Sequence, residues 1–262
     1  AVTPRTRAIL PVHYAGHPVD LEAIASLAER YRLAVVEDAA HAIGASYRGR
    51  PIGVGQNPTS FSFYATKNMT TGEGGMLTGA PDFLQAARIR SLHGMSRKAW
   101  TRYQKGGGWQ YDVVCPGFKY NMTDIQAAIG MCQLRRLPTI QKRRRHVASQ
   151  YQAAFAQLDT LQLPVVRPDI VHAWHLYAVR LNLDRLCIDR DRFLQALKDR
   201  NIGNSVHFIP VHLHSYYRDK YGFRPEDFPV AWKNYRRILS LPLNPRMSDQ
   251  DVADVIEAVR DV

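Results

Sequence analysis

Cysteine is scarce in this sequence. Only Cys115, Cys132 and Cys187 occur in 262 residues, widely spaced and odd in number. They form no C-x-x-C pair, which excludes a disulfide framework and a cysteine-built zinc site and points to a reducing, cytoplasmic setting. Long apolar runs are missing too: none approaches the roughly twenty residues a helix needs to cross a bilayer, so no membrane partner is expected. The opening residues Ala1-Val2-Thr3-Pro4-Arg5 carry neither an initiator methionine nor the apolar centre of a secretion signal. They read as the middle of a longer chain. Internal repeats and low-complexity tracts are absent.

What remains is an ordinary globular composition, 45% apolar and 22% charged, long enough to bury a core as one large domain or two moderate ones. The net charge of +12 admits two readings. A basic surface can hold nucleic acid through phosphate contacts, or it can be a solvated surface suited to an anionic small molecule. No nucleic-acid-binding motif accompanies the charge, which favours the second reading and no nucleic-acid partner.

Strand and helix signals alternate early in the chain. Ala8–Val12 is a short apolar run. From Asp20, a candidate N-cap, Leu21, Ile24, Ala25, Leu27 and Ala28 recur at helical spacing. Leu33–Val36 is a second apolar run that ends in Glu37-Asp38. This order suits a right-handed crossover in a parallel sheet. Ser60–Tyr64 and Gly75–Thr78 are further strands, and the gap between them is too short for a helical crossover, so they should run antiparallel. Helices are expected at Pro81–Leu92 and Thr123–Leu134. Pro138 should open a long helix to about Leu158, since proline is tolerated in a first turn, with Lys142-Arg143-Arg144-Arg145-His146 as a solvated face. Beyond Pro164 come a strand at His175–Leu181, a helix at Asp189–Arg200, a short strand near Val206-His207 and a last helix at Ser248–Val262. The expected division is a large α/β domain over residues 1–137 and a long helix with a smaller α+β domain over 138–262.

Ligands of open α/β sheets bind beyond the carboxyl ends of the strands. Asp38 closes one strand and Lys67 follows another. If those strands are parallel neighbours, a carboxylate and an amine face one cleft. Taken singly, an Asp such as Asp38 is more often a turn or helix cap and a Lys such as Lys67 usually a solvated charge. Taken together they suit pyridoxal 5'-phosphate, which needs a lysine to hold it and move protons and an acid beside its ring nitrogen.

The surrounding words are Glu37-Asp38-Ala39-Ala40-His41-Ala42, Ser60-Phe61-Ser62-Phe63-Tyr64-Ala65-Thr66-Lys67-Asn68 and Gly72-Glu73-Gly74-Gly75. With Pro11-Val12-His13-Tyr14-Ala15-Gly16, Pro116-Gly117-Phe118-Lys119-Tyr120-Asn121, Ala173-Trp174-His175-Leu176-Tyr177 and Leu239-Ser240-Leu241-Pro242-Leu243, they resemble the DegT/DnrJ/EryC1/StrS sugar aminotransferases. These are fold-type-I pyridoxal-phosphate enzymes. The likeness is nearest to the branch that makes 4-amino-4-deoxy sugars on nucleotide carriers, including the 4-amino-4-deoxyarabinose enzyme of lipid A modification.

The resemblance implies a mostly parallel central sheet with helices on both faces, a smaller C-terminal domain, and a homodimer with shared active sites. It makes Lys67 the lysine that joins the cofactor and Asp38 the acid at its ring nitrogen. His41 falls near the ring oxygen and Ser62 at the phosphate. Asn121 would reach the partner subunit's phosphate, and His207 would approach the sugar. His172 and His175 are read as packing or substrate-side residues, not as metal ligands, since no third ligand stands near. The implied reaction moves an amino group from an amino acid such as glutamate to a nucleotide-linked keto-sugar. A related dehydratase, which has histidine in place of the lysine, is disfavoured by Lys67. Several strands and the phosphate-cradling Gly-Thr-x-Ala stretch of the family are expected to lie before this sequence. A fragment acting only in dimerisation is therefore the remaining alternative.

Overall fold

Short strands lie side by side in the first part of the chain. In the computed structural model, which describes residues 2–96 and 110–262, Ala8–Ile9 pairs in parallel with Ala34–Val35. Glu37–Asp38 pairs in parallel with Thr59–Ser62, and Thr59–Ser62 pairs antiparallel with Gly75–Thr78. The ladders are joined: Val36 N–H donates to Ile9, Asp38 N–H to Pro11, and His13 N–H to the Asp38 carbonyl. Parallel pairing of the Asp38 and Lys67 strands, and the antiparallel return after Lys67, are as the connection lengths require. The strands are shorter than the apolar runs that announce them.

Helix Leu21–Tyr31 supplies the crossover. Asp20 caps it, its Oδ1 accepting the Ala23 N–H at 3.1 Å. A small antiparallel group went unread in the sequence: Ser46–Tyr47 pairs with Arg50–Pro51 and with Ile170–Val171. The hairpin turns on Arg48 and Gly49, at φ 48° and 75°. Left-handed values at both central residues match the twist of a two-residue hairpin.

The chain forms two units, Ala1–Pro138 with Asp169–His172, and Thr139–Pro168 with Ala173–Val262. One helix, Asp124–Phe155, contributes to both. Here the sequence misled: Pro138 lies inside this helix and does not open a new one. Proline lacks the N–H that would bond the carbonyl four residues back, so the helix tolerates it at the expense of one hydrogen bond.

The basic block is also not a solvated face. The 3.6-residue period puts Arg144 on the same side as the buried Val147, Ala148, Tyr151 and Phe155. Its guanidinium donates to the carbonyls of Trp174, His175 and Leu243 at 3.0–3.3 Å. Burial pulls its pKa down to about 10. Lys142, Arg145 and His146 stay exposed.

In this second unit Tyr177–Leu181 is the middle strand, antiparallel to Ile238–Leu241 on one side and Leu161–Gln162 on the other. Its side chains alternate between buried and half-buried, the period-two pattern of a sheet with one face in a core. Helices Arg190–Asp199 and Asp249–Asp261 bury Phe193, Leu197, Val252, Val255, Ala258 and Val259 in the same core. The caps are written in sequence: Asp189 accepts from Arg192 N–H, and Ser248 and Asp251 bond reciprocally. No strand forms at Val206-His207. A single bridge joins Ser205 to Ser240 instead.

Candidate active site

Lys67 sits in a loop that the sequence closes on itself. The Phe63 carbonyl, just past strand Thr59–Ser62, accepts the Thr71 N–H at 2.9 Å and the Thr70 hydroxyl at 3.0 Å. Thr71 Oγ1 donates to the Glu73 carbonyl at 2.7 Å. Phe63, Asn68, Met69 and Thr71 are buried around the loop, while Lys67 is half-buried between them. Gly75 completes the closure. A Cβ there would stand 2.6 Å from the Phe61 carbonyl, so only glycine lets the return strand approach. None of the threonines was read as part of the site, although Thr70-Thr71 follows Lys67 closely enough to have suggested a loop clasp.

Strand register places Asp38 opposite Ser60, at the same end of the sheet from which the Lys67 loop leaves. One Asp38 oxygen accepts the Ala40 N–H at 2.9 Å. Loss of water lowers the Lys67 pKa, and the Asp38 charge acts against that fall. The structure thus brings together a more readily deprotonated amine and a carboxylate. Ser62 Oγ accepts the Tyr64 N–H at 3.3 Å, which puts its hydroxyl at the mouth of the same loop. His41 Nδ1 accepts the Ala15 N–H at 3.2 Å, and its ring lies 6.2 Å from that of Tyr14.

The other two residues have separate surroundings. Asn121 lines a cavity of about 740 Å³ with Met76, Leu84, Arg88 and Tyr120, and its side-chain oxygen accepts from Lys119. His207, in the second unit, bonds Ser240 Oγ at 2.8 Å and borders a cavity of about 790 Å³ with His175, Arg200 and Asn204. His172 packs edge-on against His17, and burial pulls its pKa down to about 3.

One buried cluster escaped the sequence. His13, wholly inaccessible, donates from Nε2 to Glu37 at 3.1 Å, and Asn57 donates to the other Glu37 oxygen at 3.0 Å. Burial would raise the Glu37 pKa, but these two donors outweigh it and hold the carboxyl below its ordinary value. The partners are far apart in sequence, and no spacing rule links them.

The donor set fits pyridoxal phosphate: a desolvated amine, a carboxylate, a hydroxyl and an imidazole at one end of a parallel pair of strands. Residues 1–260 match the model of the DegT/DnrJ/EryC1/StrS aminotransferase family. The chain is 53% identical over 264 residues to the spore coat polysaccharide biosynthesis protein SpsC of Bacillus subtilis, covering 100% of this chain and 68% of that one. Among solved structures it resembles S. venezuelae DesV in complex with a ketimine intermediate, with 37% identity and a TM-score of 0.88 over 99% of this chain and 66% of the other. It likewise resembles the PLP form of Spr1654 from Streptococcus pneumoniae, with 31% identity and a TM-score of 0.88 over 100% and 69%. The chain therefore spans about two thirds of the length of these relatives.

Proposed function

The chain belongs to the DegT/DnrJ/EryC1/StrS aminotransferase family, the fold-type-I, pyridoxal-phosphate-dependent sugar aminotransferases, and from that premise we propose that it aminates a nucleotide-linked keto-sugar. The donor is an amino acid, glutamate in the simplest case, and the branch is that of the 4-amino-4-deoxy sugars. The observation that carries this reading is the parallel pairing of Glu37–Asp38 with Thr59–Ser62, which sets Asp38 and Lys67 at one sheet end.

When bound, pyridoxal phosphate supplies the electron sink that makes an amino-acid Cα proton acidic. Lys67 holds the cofactor through Nζ and, once released from it, takes and returns protons at that nitrogen, a task helped by its lowered pKa. Asp38 presents its carboxylate to the ring nitrogen and keeps it protonated. His41 would hold the ring oxygen. The Ser62 hydroxyl holds phosphate, and Asn121 does so from the partner subunit of a homodimer. His207 approaches the sugar. A basic chain of net charge +12 suits a diphosphate-bearing substrate, and its relative SpsC is a spore coat polysaccharide biosynthesis protein. In the described residues no helix is long and apolar enough to cross a membrane. The cytoplasm, where nucleotide sugars are made, is the proposed location.

The test is direct. Protein incubated with pyridoxal phosphate and reduced with borohydride should carry the cofactor on Lys67, by peptide mapping, and Lys67→Ala should carry none there. Retention of label elsewhere in wild type, with Lys67 unmodified, would overturn the assignment. A screen of nucleotide-linked keto-sugars with glutamate then reads amino-sugar formation by mass.

A further inference from the structure

His13 makes four hydrogen bonds from the base of one tight turn. Its backbone N–H donates to the Asp38 carbonyl at 3.0 Å, and its carbonyl accepts the Gly16 N–H at 3.2 Å. Its Nδ1 accepts the Val19 N–H at 3.2 Å. A neutral imidazole has one donor and one acceptor nitrogen, so Nε2 carries the proton and donates to Glu37. Both ends of the segment from His13 to Val19 are thereby tied to one ring and one strand.

Within that segment the Tyr14–Gly16 turn holds Ala15 at φ 57° and Gly16 at φ 96°. A left-handed alanine is unfavourable and persists only where surrounding bonds over-determine it. The N–H of Ala15 is the one that His41 Nδ1 accepts. The same reasoning applied to His41 leaves its proton on Nε2.

We propose that His13 is a positioning residue for His41: it fixes the Tyr14–Gly16 turn so that Ala15 N–H occupies His41 Nδ1 and leaves Nε2–H as the donor to the cofactor's ring oxygen. This rests on the functional reading above. Were the turn to relax, Ala15 N–H would no longer bias the tautomer, and His41 could turn an acceptor toward an oxygen that needs a donor.

Nitrogen-15 NMR of histidine-labelled full chain without cofactor tests the tautomer, with His41 assigned by loss of its signals in His41→Gln. Wild type should give a protonated Nε2 and an unprotonated Nδ1. In His13→Asn, which loses the donor to Glu37, the two tautomers should mix. Glu37→Leu removes the same bond from the other side and should do likewise, whereas Glu37→Gln keeps an acceptor and should retain the wild-type tautomer. With pyridoxal phosphate bound, the pH midpoint of its visible absorbance should rise in His13→Asn by about one to two units, the worth of one hydrogen bond to a charged oxygen. A wild-type His41 protonated on Nδ1 would overturn the proposal whether or not the variants fold. So would folded His13→Asn or Glu37→Leu with the wild-type tautomer and midpoint. Absence of any bound-cofactor absorbance or Lys67 label in wild type would instead sink the functional reading, and the cofactor-free NMR result would stand apart from it.

Discussion

Removing the Glu37 carboxylate, buried beside His13, should destabilise the first unit. Glu37→Leu takes the acceptor away from His13 Nε2–H, a donor whose side chain is 0% exposed. Leaving a buried neutral donor without its acceptor costs about 1–3 kcal/mol. Asn57 is exposed and can turn its amide to water, but His13 Nε2–H is wholly enclosed, so the upper end for one orphaned donor, about 3 kcal/mol, applies. Glu37→Gln keeps an acceptor for His13 and forfeits only the charge assistance, about 1 kcal/mol. With a urea dependence of about 2 kcal/mol per molar, midpoints fall by about 1.5 M and about 0.5 M. Urea unfolding followed by hydrogen exchange within residues 2–96 isolates this unit from the other, as a chain of two units need not unfold in one step. The pH dependence supplies a second check. A carboxyl more acidic in the folded than in the unfolded chain gives stability that is complete above the unfolded value of 4.5 and is lost as pH falls through the lower folded value. The gap between wild type and Glu37→Gln should therefore be full at pH 7 and shrink below about 4.5. Equal stability of wild type and Glu37→Leu at neutral pH would refute the reasoning, as would a gap that persists in acid.

Asp38→Asn removes the charge that opposes desolvation of Lys67, so the lysine pKa, already below 10.5, should fall further. NMR titration of isotopically methylated lysine reads this, and an unchanged or higher value would contradict it. Gly75→Ala places a methyl group 2.6 Å from the Phe61 carbonyl and should cost about 1–3 kcal/mol by overpacking, with slower or weaker fixation of cofactor on Lys67. Calorimetry and the borohydride label measure the two effects. Leu239→Ala, at a wholly buried position of the second unit, should cost about 2–5 kcal/mol. Hydrogen exchange should report that loss in residues 173–262 and little change around Lys67.

Much of this protein was decided locally. Asp20, Asp189 and Ser248 cap helices because their side-chain oxygens reach N–H groups three residues on, a relation any reader of the sequence can see. The antiparallel return after Lys67 follows from a connection too short for a helix. Asp38 and Lys67 could be suspected because one closes a strand and the other follows one, and the words around them carried the family resemblance. Tertiary structure decided what sequence distance hides. Pro138 remains in a helix although local preference favours a start there, at the loss of one hydrogen bond. Arg144 looks like one of five exposed basic residues until the helix face it occupies is known, and then its charge is spent on three carbonyls. His13 and Glu37 lie 24 residues apart. Only the parallel register of the first strands brings them together, and a buried pair of that kind leaves no periodic trace in sequence.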